Sequence, residues 1–256
     1  MRIILDNEIV TYLKTWFTGY VQNFKYDDPA LQQNIDLKVR HTKRVCKEII
    51  KIGSQLGLKE EELNLAESVA LLHDVGRFEQ YDRYRTFSDR LSEDHAELGI
   101  RVIEKEGILD NIYPDTRNLI TCTIRSHNKS VIPVGQSDAC LFFIRILRDA
   151  DKLDILRLII GYYYKRNGKS NGTLTLDLPD TPGFSEEVYN DLINRRVVNL
   201  KHVKNLNDFK LLQLGWIYDV NFRPSFDYIR KYRYMEKLRN VLPESEKIDY
   251  VFGRII

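Results

Sequence analysis

The chain has 256 residues, 43% of them hydrophobic and 30% charged, with 39 basic against 37 acidic side chains for a formal charge of +2. That size allows roughly 70% of the unfolded surface to be buried, so a core can form without disulfides and disorder is excluded. Near-balanced charge argues against a dedicated nucleic-acid binder, and no apolar run approaches the ~20 residues of a membrane span.

Helical periodicity runs from the start to about residue 165. Leu37, His41, Val45, Ile49 and Ile52 recur every three or four positions, which lays His41 on an apolar stripe that Gly53 is expected to end. A second helix is predicted from about Glu61 to Asp74, with Ala66, Ala70 and His73 on one side and Gly76 as its C-cap. A loop is expected over about 77–92. Ser92 or Asp94 can then cap a helix that carries His95 in its first turn, Asp94 and Glu97 having capping-box spacing.

A fourth helix is expected from near Asp115, placing Ile120, Ile124 and His127 on a common face, followed by a loop over about 128–136. A fifth, from about Ser137 to Tyr164, is apolar nearly all round, as suits a central buried helix. The stretch RNGKSNGTLTLDLPDTPG then reads as a loop with room for a short strand pair. Helical patterns return over Glu186 to about Val203, Asp208 to Tyr218 and Phe226 to Leu242. The expected organisation is a helical core over 1–165 and, over 166–256, a loop and C-terminal helical extension packed on that core. The fold class is all-α.

Cys46, Cys122 and Cys140 are odd in number and contain no C-x-x-C pair, so buried free thiols and a reducing cytoplasm are expected. Acidic residues interrupt the N-terminal stretch MRIILDNEIV where a signal peptide needs an apolar core. The segment Arg230-Lys231-Tyr232-Arg233-Tyr234 reads as a solvated helix face with its tyrosines turned inward.

Chemistry concentrates in the histidines. Four of the five precede residue 130, and each falls on or at the end of a predicted helix. Burying so many polar side chains is expensive unless each finds a partner, and a metal ion offers one partner to several at once. His73 and Asp74 end an apolar helix in LLHDVGRFE; side chains about 100° apart reach one ion only at a helix end facing a cavity. Asp149 and Asp151 sit on opposite stripes of the fifth helix, and periodicity does not choose between them. There is no G-x-x-x-x-G-K-[ST] phosphate loop and no G-x-S-x-G elbow. His202 lacks an acidic partner pattern and reads as structural or exposed.

With His41 in KVRHTKRV, His73-Asp74 in LLHDVGR and Asp151 in RDADKLD, the chain resembles the HD superfamily of metal-dependent phosphohydrolases over roughly residues 35–160. His95 in EDHAELGIRVI and His127 in TIRSHNK stand where two-metal members carry extra histidines. The resemblance implies an HD-domain helical bundle. In it His41, His73, Asp74 and Asp151 hold one ion, and Asp74, His95 and His127 the other, with Asp74 as the bridge. Its A-D-x-L pattern selects Asp151 over Asp149. It implies two divalent transition-metal ions drawn from iron, manganese, cobalt, nickel and zinc, with magnesium the poorer match to imidazole ligands.

The implied activity is hydrolysis of a phosphomonoester or phosphodiester bond in a nucleotide-like small molecule by a metal-activated hydroxide. Arg77 is a candidate phosphate contact, as are Lys152, Asn128 and Lys129. No specific nucleic acid and no membrane is expected as partner. Two other readings stay open: a di-iron oxygenase on the same scaffold, and a non-catalytic helical binding module stabilised by metal.

Overall fold

A computed structural model describes residues 5–165 and 172–255. Every regular element among them is helical. No helix of the described residues is long and apolar enough to cross a membrane. The chain divides into two compact units, Met1–Asp151 and Lys152–Ile256.

The first unit begins with α1 (Asn7–Val21), capped by Asp6, whose Leu13 and Phe17 are buried. α2 (Pro29–Gln55) starts on an Asp28 cap with proline in the first turn, where its missing N–H costs nothing. His41, Val45, Ile49 and Ile52 form its buried stripe. The helix runs through Gly53, which is not the terminator the sequence suggested; the left-handed residue is Gly57, just beyond.

α3 (Glu60–Leu72) packs against α1 and α2 and stops with His73 as its C-cap. Gly76 opens α4 (Gly76–Tyr84), so the expected C-cap at Gly76 and loop over 77–92 are both corrected for this stretch. Glycine is needed there because two backbones nearly touch: a Cβ on Gly76 would lie 2.2 Å from the His95 carbonyl oxygen and 2.4 Å from the Gly99 nitrogen.

α5 (His95–Lys105) begins on Asp94, whose carboxylate accepts from the Ala96 and Glu97 amides at 2.9 and 3.3 Å. Glu97 pairs with Arg125 of the next helix. α6 (Pro114–Ser126) ends with His127 as its C-cap. α7 (Asp138–Lys165) is buried on more than one face, with Phe143, Ile144, Ile146, Leu147 and Ala150 all within 2% exposure. Its Arg148 donates to the carbonyls of His127 and Lys129, so the chain just past α6 is tied to α7.

Cys122 and Cys140 form a disulfide between α6 and α7, and Cys46 is free and buried. The free-thiol expectation is therefore corrected for that pair. Sequence spacing carries no sign of it, because the two helices must first pack to bring the Cα atoms within 6.5 Å. The cysteine argument for a reducing compartment lapses with it.

In the second unit the sequence expectations fare unevenly. Residues 166–171, part of the expected loop, lie outside the described residues, and no strand pair occurs beyond them: Gly172–Thr175 forms one helical turn, α8. α9 (Glu186–Ile193) is shorter than expected, and α10 (Leu206–Gly215) passes into a 3-10 turn over Trp216–Asp219. The pattern over Phe226–Leu242 resolves into α11 (Arg223–Lys231) and α12 (Tyr234–Asn240), separated by Arg233 at φ 53°. α13 (Glu246–Ile255) had no counterpart in the sequence reading. Buried Asp208 organises the start of this unit, accepting from the Ser185 amide and hydroxyl and from the Lys204 amide.

Candidate metal centre

Four elements end or turn at one place in the first unit. α2 presents His41 from its buried stripe, and the α3–α4 junction presents His73 and Asp74. α5 presents His95 from its first residue, and α6 presents His127 from its C-cap. Asp151 of α7 completes the group. His41, His73, Asp74, His95 and His127 are each no more than 6% exposed, whereas the Asp151 side chain is 22% exposed and marks the side open to solvent.

Asp74 is central, and its two oxygens have different neighbours. Oδ2 lies 3.6 Å from His41 Nε2 and 3.7 Å from His73 Nε2. Oδ1 lies 3.4 Å from His95 Nε2, which is 3.1 Å from His127 Nε2. Asp151 Oδ1 stands 3.1 Å from His41 Nε2 and 4.0 Å from His73 Nε2. Asp151, the aspartate that the family pattern selects, is set against these imidazoles. Among the described residues three potential ion-binding groups emerge; His41–His73–Asp74 and Asp74–His95–His127 are buried and share Asp74, while Asp89–Asp94–His95 is more exposed.

The imidazole tautomers follow from the hydrogen bonds on the far side of each ring. His73 Nδ1 is 2.7 Å from the Ala70 carbonyl oxygen and His127 Nδ1 is 2.6 Å from that of Ile124. A carbonyl only accepts, so each Nδ1 donates and each Nε2 keeps its lone pair. His95 Nδ1 faces the Asp89 carboxylate at 2.7 Å, with the same consequence. Burial, first, pushes the proton affinities of His73, His95 and His127 down, that of His127 to about 3 with further help from His95 and His73. These rings are therefore neutral near pH 7.

Two lone pairs 3.1 Å apart, on His95 and His127, repel each other unless a cation lies between them. His73 Nε2, fully buried, makes no hydrogen bond. The donor set thus fits divalent metal: neutral imidazoles, ionised carboxylates and outer partners that fix each ring. Burial alone would raise the proton affinity of Asp74, but Lys38, His73 and Arg77 outweigh it and hold the carboxyl well below its ordinary range. Asp151 is likewise held low against burial, chiefly by His41.

The sequence-selected candidates for phosphate contact have partners already. Arg77 Nη1 donates to Gln80, Asp89 and the Phe87 carbonyl, while its Nε sits 3.5 Å from Asp74 Oδ1. Asn128 donates to Asp94 at 2.8 Å and Lys129 pairs with Asp94 at 2.5 Å. Lys152 pairs with Asp219 at 2.6 Å within the second unit. His202, expected to be structural, donates from Nδ1 to Asp191 at 2.8 Å.

Three residues escaped the sequence reading. Lys38 stands 2.8 Å from Asp74 Oδ2; its place one turn before His41 was a visible signal. Asp89 lies in an irregular segment, where no periodicity points to it. Its proton affinity is lowered, against burial, by the His95 hydrogen bond and the Arg77 charge. Gln80, fully buried, links Asp89, Ser92 and the Glu93 carbonyl to Arg77.

No curated protein and no solved structure matches the chain. The family model for the HD domain matches residues 39–156, a span that contains all six converging side chains. The HD domain implies divalent metal binding, and the His and Asp groups above are placed where such binding needs them. Residues 39–156 of this chain thus carry an HD domain.

Proposed function

We propose that the chain is a two-ion phosphohydrolase that cleaves a phosphomonoester or phosphodiester bond in a nucleotide-like small molecule. The observation that carries this reading is the division of Asp74: one oxygen faces His41 and His73, the other faces His95. A carboxylate used in that way suits a bridge between two ions, and the largely hydrolytic HD superfamily supplies the reaction class.

His41, His73, Asp74, His95, His127 and Asp151 would hold divalent ions, which would supply a water acidified near neutral pH and would offset charge on phosphate oxygens. The chain's own contribution is positional. The Ala70 and Ile124 carbonyls and the Asp89 carboxylate hold three rings with Nε2 inward, so ligands are preorganised and need not be reordered. Arg77, fixed by Asp89, Gln80 and Phe87, sets a permanent positive charge beside Asp74 Oδ1. In the net reaction water adds to phosphorus, one ester P–O bond breaks, and the departing oxygen leaves as an alcohol with a proton from water.

The test compares wild type with Asp74→Ala on generic aryl phosphates and nucleotides, with metal content measured in both. Loss of hydrolysis together with bound metal is expected. Equal activity in both proteins refutes the reading. Oxygen uptake by wild type, with no phosphate release, replaces it with di-iron oxygenase chemistry.

A further inference from the structure

Lys38 is a cation held against a metal-ligand oxygen. Its ammonium lies 2.8 Å from Asp74 Oδ2, the oxygen that His41 and His73 also face. The other nearby cation differs in kind. Arg77 meets Asp74 through Nε at 3.5 Å and is locked by three further acceptors. Lys38 is carried on a flexible four-carbon stem, and among the described residues the further contact of its ammonium is the ring of Phe87, 5.3 Å away at the centroid.

An ammonium and a divalent ion on one carboxylate oxygen would repel strongly in a site as dry as this, where little water screens them. Lys38 therefore yields Asp74 when metal is bound. Its side chain is 15% exposed and Asp151's is 22%, against 3% or less for His41, His73 and His95. A displaced ammonium on this stem would stay at the more exposed edge of the cluster, released from Asp74.

Resting on the two-ion reading above, we propose that Lys38 is transferred from Asp74 to the substrate's phosphate and selects a dianionic phosphomonoester over a monoanionic phosphodiester. Metal loading and Lys38 together would leave the site strongly positive, because among the described residues the carboxylates shown against these imidazoles are Asp74, Asp151 and Asp89, the last paired with Arg77. A terminal phosphate with two charges answers that excess better than a diester with one.

The experiment uses Lys38→Gln, which keeps a hydrogen-bond donor for Asp74 but drops the charge, with Lys38→Met and Lys38→Arg beside it. Metal affinity is measured first. Metal-loaded proteins are then titrated calorimetrically with inorganic phosphate and with dimethyl phosphate, and assayed on p-nitrophenyl phosphate and bis-p-nitrophenyl phosphate. Metal binding by Lys38→Gln should match wild type or be tighter, since a competing cation is gone. Inorganic phosphate affinity should fall about 10- to 100-fold, as for a lost charged hydrogen bond, and dimethyl phosphate affinity by far less. The monoester-to-diester ratio of kcat/KM should fall about 10-fold, and Lys38→Arg should recover part of both losses.

Weaker metal binding in Lys38→Gln and Lys38→Met overturns the proposal, because Lys38 is then a support for Asp74. Unchanged phosphate affinity in either variant, or equal losses for both phosphate probes, also overturns it while an active wild type leaves the phosphohydrolase reading intact. A metal-loaded wild type that neither hydrolyses nor binds phosphate removes both.

Discussion

Replacing Gly76 with alanine tests whether the α4–α5 crossing sets the metal centre. The added Cβ would stand 2.2 Å from the His95 carbonyl oxygen and 2.4 Å from the Gly99 nitrogen, both backbone atoms that cannot rotate away. To bring the closer contact past 3.0 Å, the helices must separate by about 0.8 Å, the difference of those distances. Metal–ligand distances tolerate only about 0.2 Å, and His95 is the first residue of the helix that must move.

Overpacking of this kind costs about 1–3 kcal/mol, set against a helix-propensity gain of up to about 1 kcal/mol for alanine over glycine. A net loss of about 2–6 °C in Tm is expected for a chain of this size, with weakened metal binding at the His95 side. Calorimetry and metal analysis of the purified variant read both effects. Gly99→Ala is the control, since its Cβ meets Gly76 N at 3.3 Å and a Val75 methyl at 3.4 Å and needs little adjustment. A Gly76→Ala protein with wild-type Tm and wild-type metal content refutes the argument.

Asp89→Asn removes the carboxylate that orients His95, so metal affinity should fall about 10- to 100-fold; competition with a chromophoric chelator measures it, and unchanged affinity denies Asp89 that role. Metal-free protein should lose stability on acidification. His127 is held near a pKa of about 3 against ~6.5 unfolded, so between those values the unfolded chain takes a proton the folded chain refuses. The loss from this residue is about 2 kcal/mol at pH 5, and Asp74 and Asp151, held low, add loss in the same sense at lower pH. Urea midpoints that stay constant from pH 7 to 5 contradict this account. Reducing the Cys122–Cys140 disulfide opens a loop of sequence separation 18, worth about 3 kcal/mol by chain entropy. Tm should fall with a thiol reductant in wild type and not in Cys122→Ser/Cys140→Ser.

Much of the site was legible because helix periodicity is local. His41 shares a stripe with Val45 and Ile49, His127 with Ile120 and Ile124, and an apolar helix ending in His73-Asp74 needs a polar partner at its end. Those facts depend on residues within a few turns, and so does the all-α class. The terminators were less legible: Gly53 and Gly76 look alike as sequence, yet one lies inside α2 and the other lets α4 approach α5. The C-terminal third showed the same weakness, where Arg233 in a left-handed conformation broke a pattern that periodicity carried through.

Tertiary packing alone decided the rest. Asp151 meets His41 across more than a hundred intervening residues, a contact that the pattern around position 150 does not foretell. Lys38, Asp89 and the Cys122–Cys140 bond likewise acquire their roles only when distant helices meet. Local sequence determines which face a side chain occupies. What it faces depends on chain folding over long separations, where no short-range rule reaches.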